Sequence, residues 1–380
     1  MKWTSKNIPI KELATGENLH ITLYTLHGEK PGPHIHIQAS VHGAELQGNA
    51  VILELMKYLN GQEITGSISF IPLANPYATD NKHGTYTYGR YNPVTGHNWN
   101  RNYKDVIKET NYSLDDFVAK HLNSSWEHIK QEFKIELKNL INDYTQNLIY
   151  EQKLSENNKL NLILQSLAST ADGILDLHTG PVATRYLYCA EYERDVAKYM
   201  KFKHVLLIPN EFDGAMDEAA FIPWIHLMNA FEKQGREIEC DIHSLTLEFG
   251  SEETFSMENA AKDVESIVNY LKHKKIVNGE ATIQSPHICE LKDYKTIYAP
   301  NGGLVDFHFG PGDRFIKGDT LASFYNFKKL DPERPHESCR TTVIASEDGI
   351  VINRCPSSSV HQGMELYQIM TNITEFEHGK

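Results

Sequence analysis

A chain of 380 residues, 40% of them hydrophobic, can bury a large core, and two domains fit that length. The formal net charge of -13 argues against nucleic acid or an anionic membrane as partner, since both recruit basic surface. No run approaches the roughly 20 apolar residues that span a bilayer. The opening Met1-Lys2-Trp3-Thr4-Ser5-Lys6 leads into no apolar stretch, so no secretory signal is expected. Cys189, Cys240, Cys289, Cys339 and Cys355 are scattered, odd in number and without C-x-x-C spacing. That fits free thiols in a reducing, cytoplasmic compartment and argues against a cysteine metal site.

Residues 1–30 read as a strand-rich lead-in. Residues 33–75 then read strand, turn, helix, strand, with the helix over about 46–59 and Asn60-Gly61 as its stop. His34, His36 and Gln38 alternate with apolar residues, which predicts one polar face on that first strand. Residues 104–170 carry Phe117, Val118, Leu122, Ile129, Phe133, Leu137 and Ile141 among charged and amide residues. Two or three amphipathic helices are predicted there, as a surface insertion, with a lid or an interface as the alternative. Strands are predicted at 174–177, 186–190, 204–208 and 244–249, and helices near 217–230 and 255–274. Strands alternating with helices imply an α/β fold with a central, largely parallel sheet. Ligands bind such sheets at the carboxyl ends of strands.

The region 283–375 differs. Gly303-Leu304-Val305 with Lys317-Gly318-Asp319 is echoed by Gly349-Ile350-Val351 with Gln362-Gly363-Met364. Two hairpin-rich units predict a small pseudo-symmetric β-domain over 283–380, following a catalytic domain over 1–282. The pattern resembles a biotinyl/lipoyl-type barrel, but Phe327-Lys328-Lys329 between the halves offers no Met-Lys attachment site. Carriage of a covalent cofactor is therefore not expected.

The chemistry-bearing motifs sit at predicted strand ends. His42-Gly43-Ala44-Glu45 closes the first strand of the core, and Asp176-Leu177-His178-Thr179-Gly180 closes another. A catalytic zinc takes three His, Glu or Asp ligands and leaves one position for water. His42, Glu45 and His178 supply such a set, predicting one zinc per chain. The alternative is a chance H-x-x-E and a histidine that merely caps a strand. Asp176 shares a strand face with His178 and either orients it or is an ordinary buried polar group. His83, His97, His204, His226 and His243 lack metal-like spacing. Of these, His97 falls in a candidate substrate loop, as do Tyr86, Tyr88 and Tyr91.

Taken in order, His42-x-x-Glu45, Asn75-Pro76, Arg90 followed by Asn100-Arg101, Asp176-Leu177-His178-Thr179-Gly180, and Thr246-Leu247-Glu248-Phe249-Gly250 resemble the succinylglutamate desuccinylase/aspartoacylase family. That family is a branch of the zinc carboxypeptidase-like hydrolases, and the resemblance covers about residues 30–255. It implies a carboxypeptidase-like mixed sheet flanked by helices. It also implies Glu248 as the catalytic carboxylate that moves the water's proton, and Arg90 as the oxyanion-stabilising guanidinium. Asn100 and Arg101 match the pair that binds a substrate carboxylate, a task suited to arginine's planar fork. The stretch from Arg90 to Asn100 is longer than in the aspartoacylase branch, which loosens the match at Arg90. The bland alternatives are salt bridges for the arginines and a capping or ion-pair role for Glu248. The expected function is a zinc-dependent deacylase acting on a small N-acylated carboxylate, and a homo-oligomer is compatible with it. A metallocarboxypeptidase and a non-catalytic carboxylate-binding protein are the competing readings.

Overall fold

Ile35, Ile37 and Ala39 alternate with His34, His36 and Gln38, and this pattern forms a strand with two unlike faces. In the computed structural model, which describes residues 2–375, that strand lies inside a ten-stranded sheet. In chain order the strands are β1 (Lys2–Glu12), β2 (Asn18–His27), β3 (Lys30–Ala39), β4 (Thr65–Ile71) and β5 (Gly173–Gly180). They continue as β6 (Arg185–Ala190), β7 (His204–Ile208), β8 (His243–Ser251), β9 (His287–Glu290) and β10 (Thr374–Glu375). Their spatial order is β1-β2-β4-β3-β5-β8-β6-β7-β9-β10. β4, β3, β5 and β8 are mutually parallel, as are β6, β7 and β9. β6 opposes β8, and antiparallel pairings close both edges. The sheet is thus mixed, with a parallel centre, as expected.

Two layers of helices cover it. α1 (Gln47–Leu59) and α5 (Met257–His273) bury Val51, Leu55, Ile267 and Tyr270 against Ile35, Ile37, Leu175, Leu177, Leu245 and Leu247. On the other face lie α2 (Trp126–Tyr150), α3 (Glu156–Ala168) and α4 (Met216–Lys233). Ser125, Ser155 and Ser256 start α2, α3 and α5 by accepting a backbone N–H with the side-chain oxygen.

One expectation needs correction here. Residues 104–170 form four helices, Val106–Glu109, Leu114–His121, α2 and α3, and they are not a surface layer. Ile129, Phe133, Leu137 and Ile141 pack with Ile174 and Trp224 in one core cluster, because this sheet face would otherwise be bare. His34, His36 and Gln38 share a face, as their alternation predicts; it is the covered one, and His36 and Gln38 are fully buried.

The C-terminal region adds two antiparallel sheets. One joins Tyr294–Tyr298, Glu365–Met370, Gly349–Arg354 and Arg314–Phe315; the other joins Arg340–Ile344, Thr320–Tyr325, Gly303–Phe307 and Ser359–Val360. The two repeat units each give a strand pair, Gly303–Phe307 with Thr320–Tyr325 and Gly349–Arg354 with Glu365–Met370. Val305, Leu321, Phe324, Val351 and Leu366 form a common core. Val182–Ala183, just beyond β5, pairs with Gly349–Arg354, so this region is stitched to the end of a central strand.

Candidate metal centre and active site

β3 ends where the backbone turns sharply. Ser40 adopts φ 60°, an unfavourable value for a residue with a side chain. Its hydroxyl donates to Asn49 Oδ1 at 2.7 Å, and its carbonyl accepts from Asn75 N at 3.0 Å. Gly43 then passes close to a neighbouring segment. A Cβ there would lie 2.1 Å from the Ala78 carbonyl oxygen, so the H-G-x-E turn requires glycine. Asn75 starts the short Pro76–Asp80 helix that presses on this turn, accepting from Ala78 N.

The turn carries His42 and Glu45 to the end of β5. His42 Nδ1 lies 2.8 Å from Glu45 Oε1, and His178 Nδ1 lies 2.6 Å from Glu45 Oε2. All three side chains are buried, and their ligand atoms fall within 4.8 Å of one another. Among the described residues this is the group that could hold a metal ion. The far nitrogen of each imidazole is also held. His42 Nε2 meets Asn98 Oδ1 at 2.7 Å, and His178 Nε2 meets Asp176 Oδ2 at 2.9 Å. Each ring therefore turns Nδ1 toward Glu45 with its other nitrogen held, the arrangement usual for metal-binding imidazoles.

The electrostatics fit a cation site. Burial raises the Glu45 carboxyl, but His42 and His178 outweigh it and hold it well below the carboxylate range. Burial lowers His178, yet Asp176 and Glu45 carry it well above the usual imidazole value. His42 is held low, chiefly by burial. Glu248 lies beside His178 in register across β8 and β5. It is pushed up to about 8, first by burial and then by Glu45. Its Oε2 is buried without a hydrogen-bond partner.

His42, Glu45, Arg90, Asn100, Arg101, His178 and Glu248 all line one cavity of about 570 Å³. Arg90 Nη1 is 3.3 Å from Glu45 Oε1 and 3.9 Å from Glu252 Oε1. Arg101 donates one N–H to the Asn100 carbonyl at 2.7 Å. Asn100 Oδ1 accepts from Met216 N at 3.1 Å, which fixes the amide and leaves its NH2 as a donor. His97, Tyr86, Tyr88 and Tyr91 are exposed and lie off this cavity.

A family model for the succinylglutamate desuccinylase/aspartoacylase catalytic domain matches residues 31–274. The chain belongs to the succinylglutamate desuccinylase/aspartoacylase family. A family protein of Shewanella amazonensis SB2B is 37% identical and superposes with a TM-score of 0.91, covering 98% of this chain and 100% of that one. A second, from Shewanella frigidimarina NCIMB 400, is 35% identical with a TM-score of 0.92 over 98% of each chain. The fold also matches the ectoine utilization protein EutE (DoeB) of Ruegeria pomeroyi at 16% identity and a TM-score of 0.64, over 97% of this chain and 95% of that one. No functionally curated protein matches significantly.

Several parts of this family member's cavity carry no motif of their own. Asn98 sits beside the Asn100-Arg101 pair, yet only folding shows that its oxygen meets His42. Tyr186, Tyr188, Tyr294, Asn353 and Gln368 form the far wall, the last three from the C-terminal sheets. Asp217 lines the cavity from the start of α4 and is raised to about 6 by burial, Glu218 and Asp176. The long loop from Arg90 to Arg101 is shaped by α3. Asn157 accepts from Asn92 Nδ2 at 2.8 Å, Asn161 donates to the Trp99 carbonyl at 2.9 Å, and Gln165 brackets Lys104 through its N–H and C=O. These amides recur every four residues on one helix face, a sequence signal that a face-by-face reading of 156–168 would have found.

Proposed function

We propose that this protein is a zinc-dependent amidohydrolase that removes the acyl group from an N-acyl amino acid or a related small carboxylate. The observation that carries the reading is the convergence of seven residues on one cavity. There, two imidazoles and a carboxylate face a buried carboxylate whose Oε2 has no partner. Two His and one Glu form a donor set that suits zinc and leaves a position for water. Zinc bound there would polarise the scissile carbonyl and lower the pKa of a water molecule toward neutrality.

The chain's own residues do the rest. Glu248 takes a proton from the attacking water as the new C–O bond forms, and returns it to the amide nitrogen as the C–N bond breaks. Burial first and Glu45 second hold Glu248 up; a cation beside Glu45 would offset the second and favour the ionised form that acts as base. Arg90 faces the negative charge that builds on the carbonyl oxygen. Arg101, with N–H groups to spare, takes the substrate carboxylate, and Asn98 and Asp176 keep the two imidazoles aimed.

The wall from Leu291, Tyr294, Asn353 and Gln368 favours a small substrate over the extended chain a carboxypeptidase must admit. A mere binding protein has no use for a buried, unpaired carboxylate oxygen, which costs about 1–3 kcal/mol. The test is amine release from a panel of N-acetyl, N-succinyl and N-formyl amino acids, with and without zinc. Arg101→Ala should raise KM for free-carboxylate substrates by an amount corresponding to roughly 1.5–3 kcal/mol. Amide-capped analogues should be poor for wild type and little affected by the change. Equal turnover of capped and free substrates by wild type would overturn the carboxylate clamp.

A further inference from the structure

Behind the metal centre, a file of polar side chains runs through the interior of the covered sheet face. His36 lies opposite Ser69 in register, and Gln38 lies opposite Asp176. His34 Nε2 is 2.9 Å from Ser69 Oγ, and Ser69 Oγ is 2.9 Å from His36 Nδ1. His36 Nε2 is 3.3 Å from Gln38 Oε1, and Gln38 Nε2 is 3.1 Å from Asp176 Oδ1. Asp176 Oδ2 then meets His178 Nε2. His36, Gln38 and Asp176 are fully buried, and Ser69 nearly so.

The direction of every bond in this file is fixed by chemistry. A carboxylate only accepts, so Gln38 must turn its NH2 to Asp176 and its carbonyl to His36. His36 must then carry its proton on Nε2. Its second nitrogen is left as an acceptor, which matches a ring whose basicity burial drives down to about 4. Ser69 must donate to that nitrogen, and its oxygen is free to accept from His34 Nε2–H. The file therefore delivers N–H to Asp176 from one side, and His178 Nε2–H meets it from the other. An apolar residue at 38 would leave an oxygen of Asp176 buried and unpaired, free to rotate away from His178.

We infer that Gln38, His36 and Ser69 are positioning residues for the metal centre. Their one-directional hydrogen bonds lock Asp176 as a double acceptor and so hold His178 with Nε2–H, Nδ1 turned inward. The inference rests on the metal reading above. It adds residues that touch neither ligand nor substrate, lying on two strands behind the site.

The experiment measures zinc affinity by competition with a chelating dye for wild type, Gln38→Leu, Ser69→Ala and Ile37→Val. Ile37 points to the opposite, apolar face and reports generic core loosening. Alongside it, the 15N shifts of the His178 ring are recorded in the metal-free protein. Support is a zinc Kd raised about tenfold in Gln38→Leu, the lower end of what outer partners of metal ligands contribute. A smaller rise is expected in Ser69→Ala, with no change in Ile37→Val. The His178 Nε2–H signal should broaden or shift in the first two only. If Gln38→Leu does not fold, Ser69→Ala decides alone. Unchanged Kd and unchanged His178 shifts in the folded variants would overturn the inference. A wild type that binds no zinc would end the metal reading instead, and the shifts would still judge the file.

Discussion

Gly43 offers the sharpest test of how the fold builds the centre. Its Cα is held between two backbone segments. On one side a Cβ would lie 2.1 Å from the Ala78 oxygen, 2.2 Å from its carbonyl carbon and 2.5 Å from Thr79 N. On the other, Gly89 is so close that its own Cβ would lie 2.4 Å from the Gly43 Cα, and Gly43 N donates to the Gly89 carbonyl at 2.9 Å. In Gly43→Ala neither wall is a flexible side chain, so a backbone segment must retreat by more than about 1 Å to restore contact distance. Overpacking of this kind costs about 1–3 kcal/mol, and rigid walls on both sides place it at the upper end. The strain falls between His42 and Glu45, so the displaced atoms are the ones proposed to hold the metal. A shift of about 1 Å at a reactive centre costs about a hundredfold in rate. The assay compares denaturation midpoints, zinc stoichiometry and kcat for Gly43→Ala and for Gly61→Ala. Gly61 has nothing within 4 Å of its added Cβ. Gly61→Ala should be neutral, while Gly43→Ala should lose stability, zinc and turnover together. Wild-type zinc binding and stability in Gly43→Ala would refute the account of the turn.

Other outcomes follow from the same geometry. Glu248→Gln should keep fold and zinc while kcat falls by about 10²–10⁴, the usual worth of a general base; near wild-type kcat would remove Glu248 from the reaction. Asn161→Leu strips the Trp99 carbonyl of its donor at 2.9 Å and should raise KM with zinc content unchanged; an unchanged KM would show that α3 does not shape the loop. Lys134→Met breaks a buried pair with Asp172, Nζ to Oδ1 at 2.6 Å, and should cost about 3 kcal/mol, the low end for such pairs, because Lys130 stays 3.6 Å away. Burial raises Asp172, but Lys134 outweighs it and holds the carboxyl below its ordinary value. The pair's stabilisation is therefore full above the unfolded carboxyl's pKa of about 3.9 and fades as pH falls through the lower folded value. Denaturant titrations below pH 5 should show a shallower acid loss in Lys134→Met than in wild type, and parallel curves would contradict the pairing.

The sequence by itself determined the α/β class, the strands that end at the candidate site, and the residues that could hold a metal. Those depend on short-range patterns: alternation along β3 and β5, a glycine inside H-G-x-E, and a His and a Glu three residues apart. Only the tertiary structure decided which face of β3 is inside. Periodicity places His34, His36 and Gln38 together, but it is blind to what packs on them, and α2 and α4 turn a polar stripe into a buried file. The same blindness made residues 104–170 read as a surface insertion, since an amphipathic helix has the same pattern on a core as on a neighbour. Asn98 against His42, Glu248 against His178 across a parallel ladder, and Tyr294, Asn353 and Gln368 closing the cavity each join residues far apart in the chain. Such pairings are set by strand order and register, which depend on the summed burial of both sheet faces and leave no local mark in the residues they bring together.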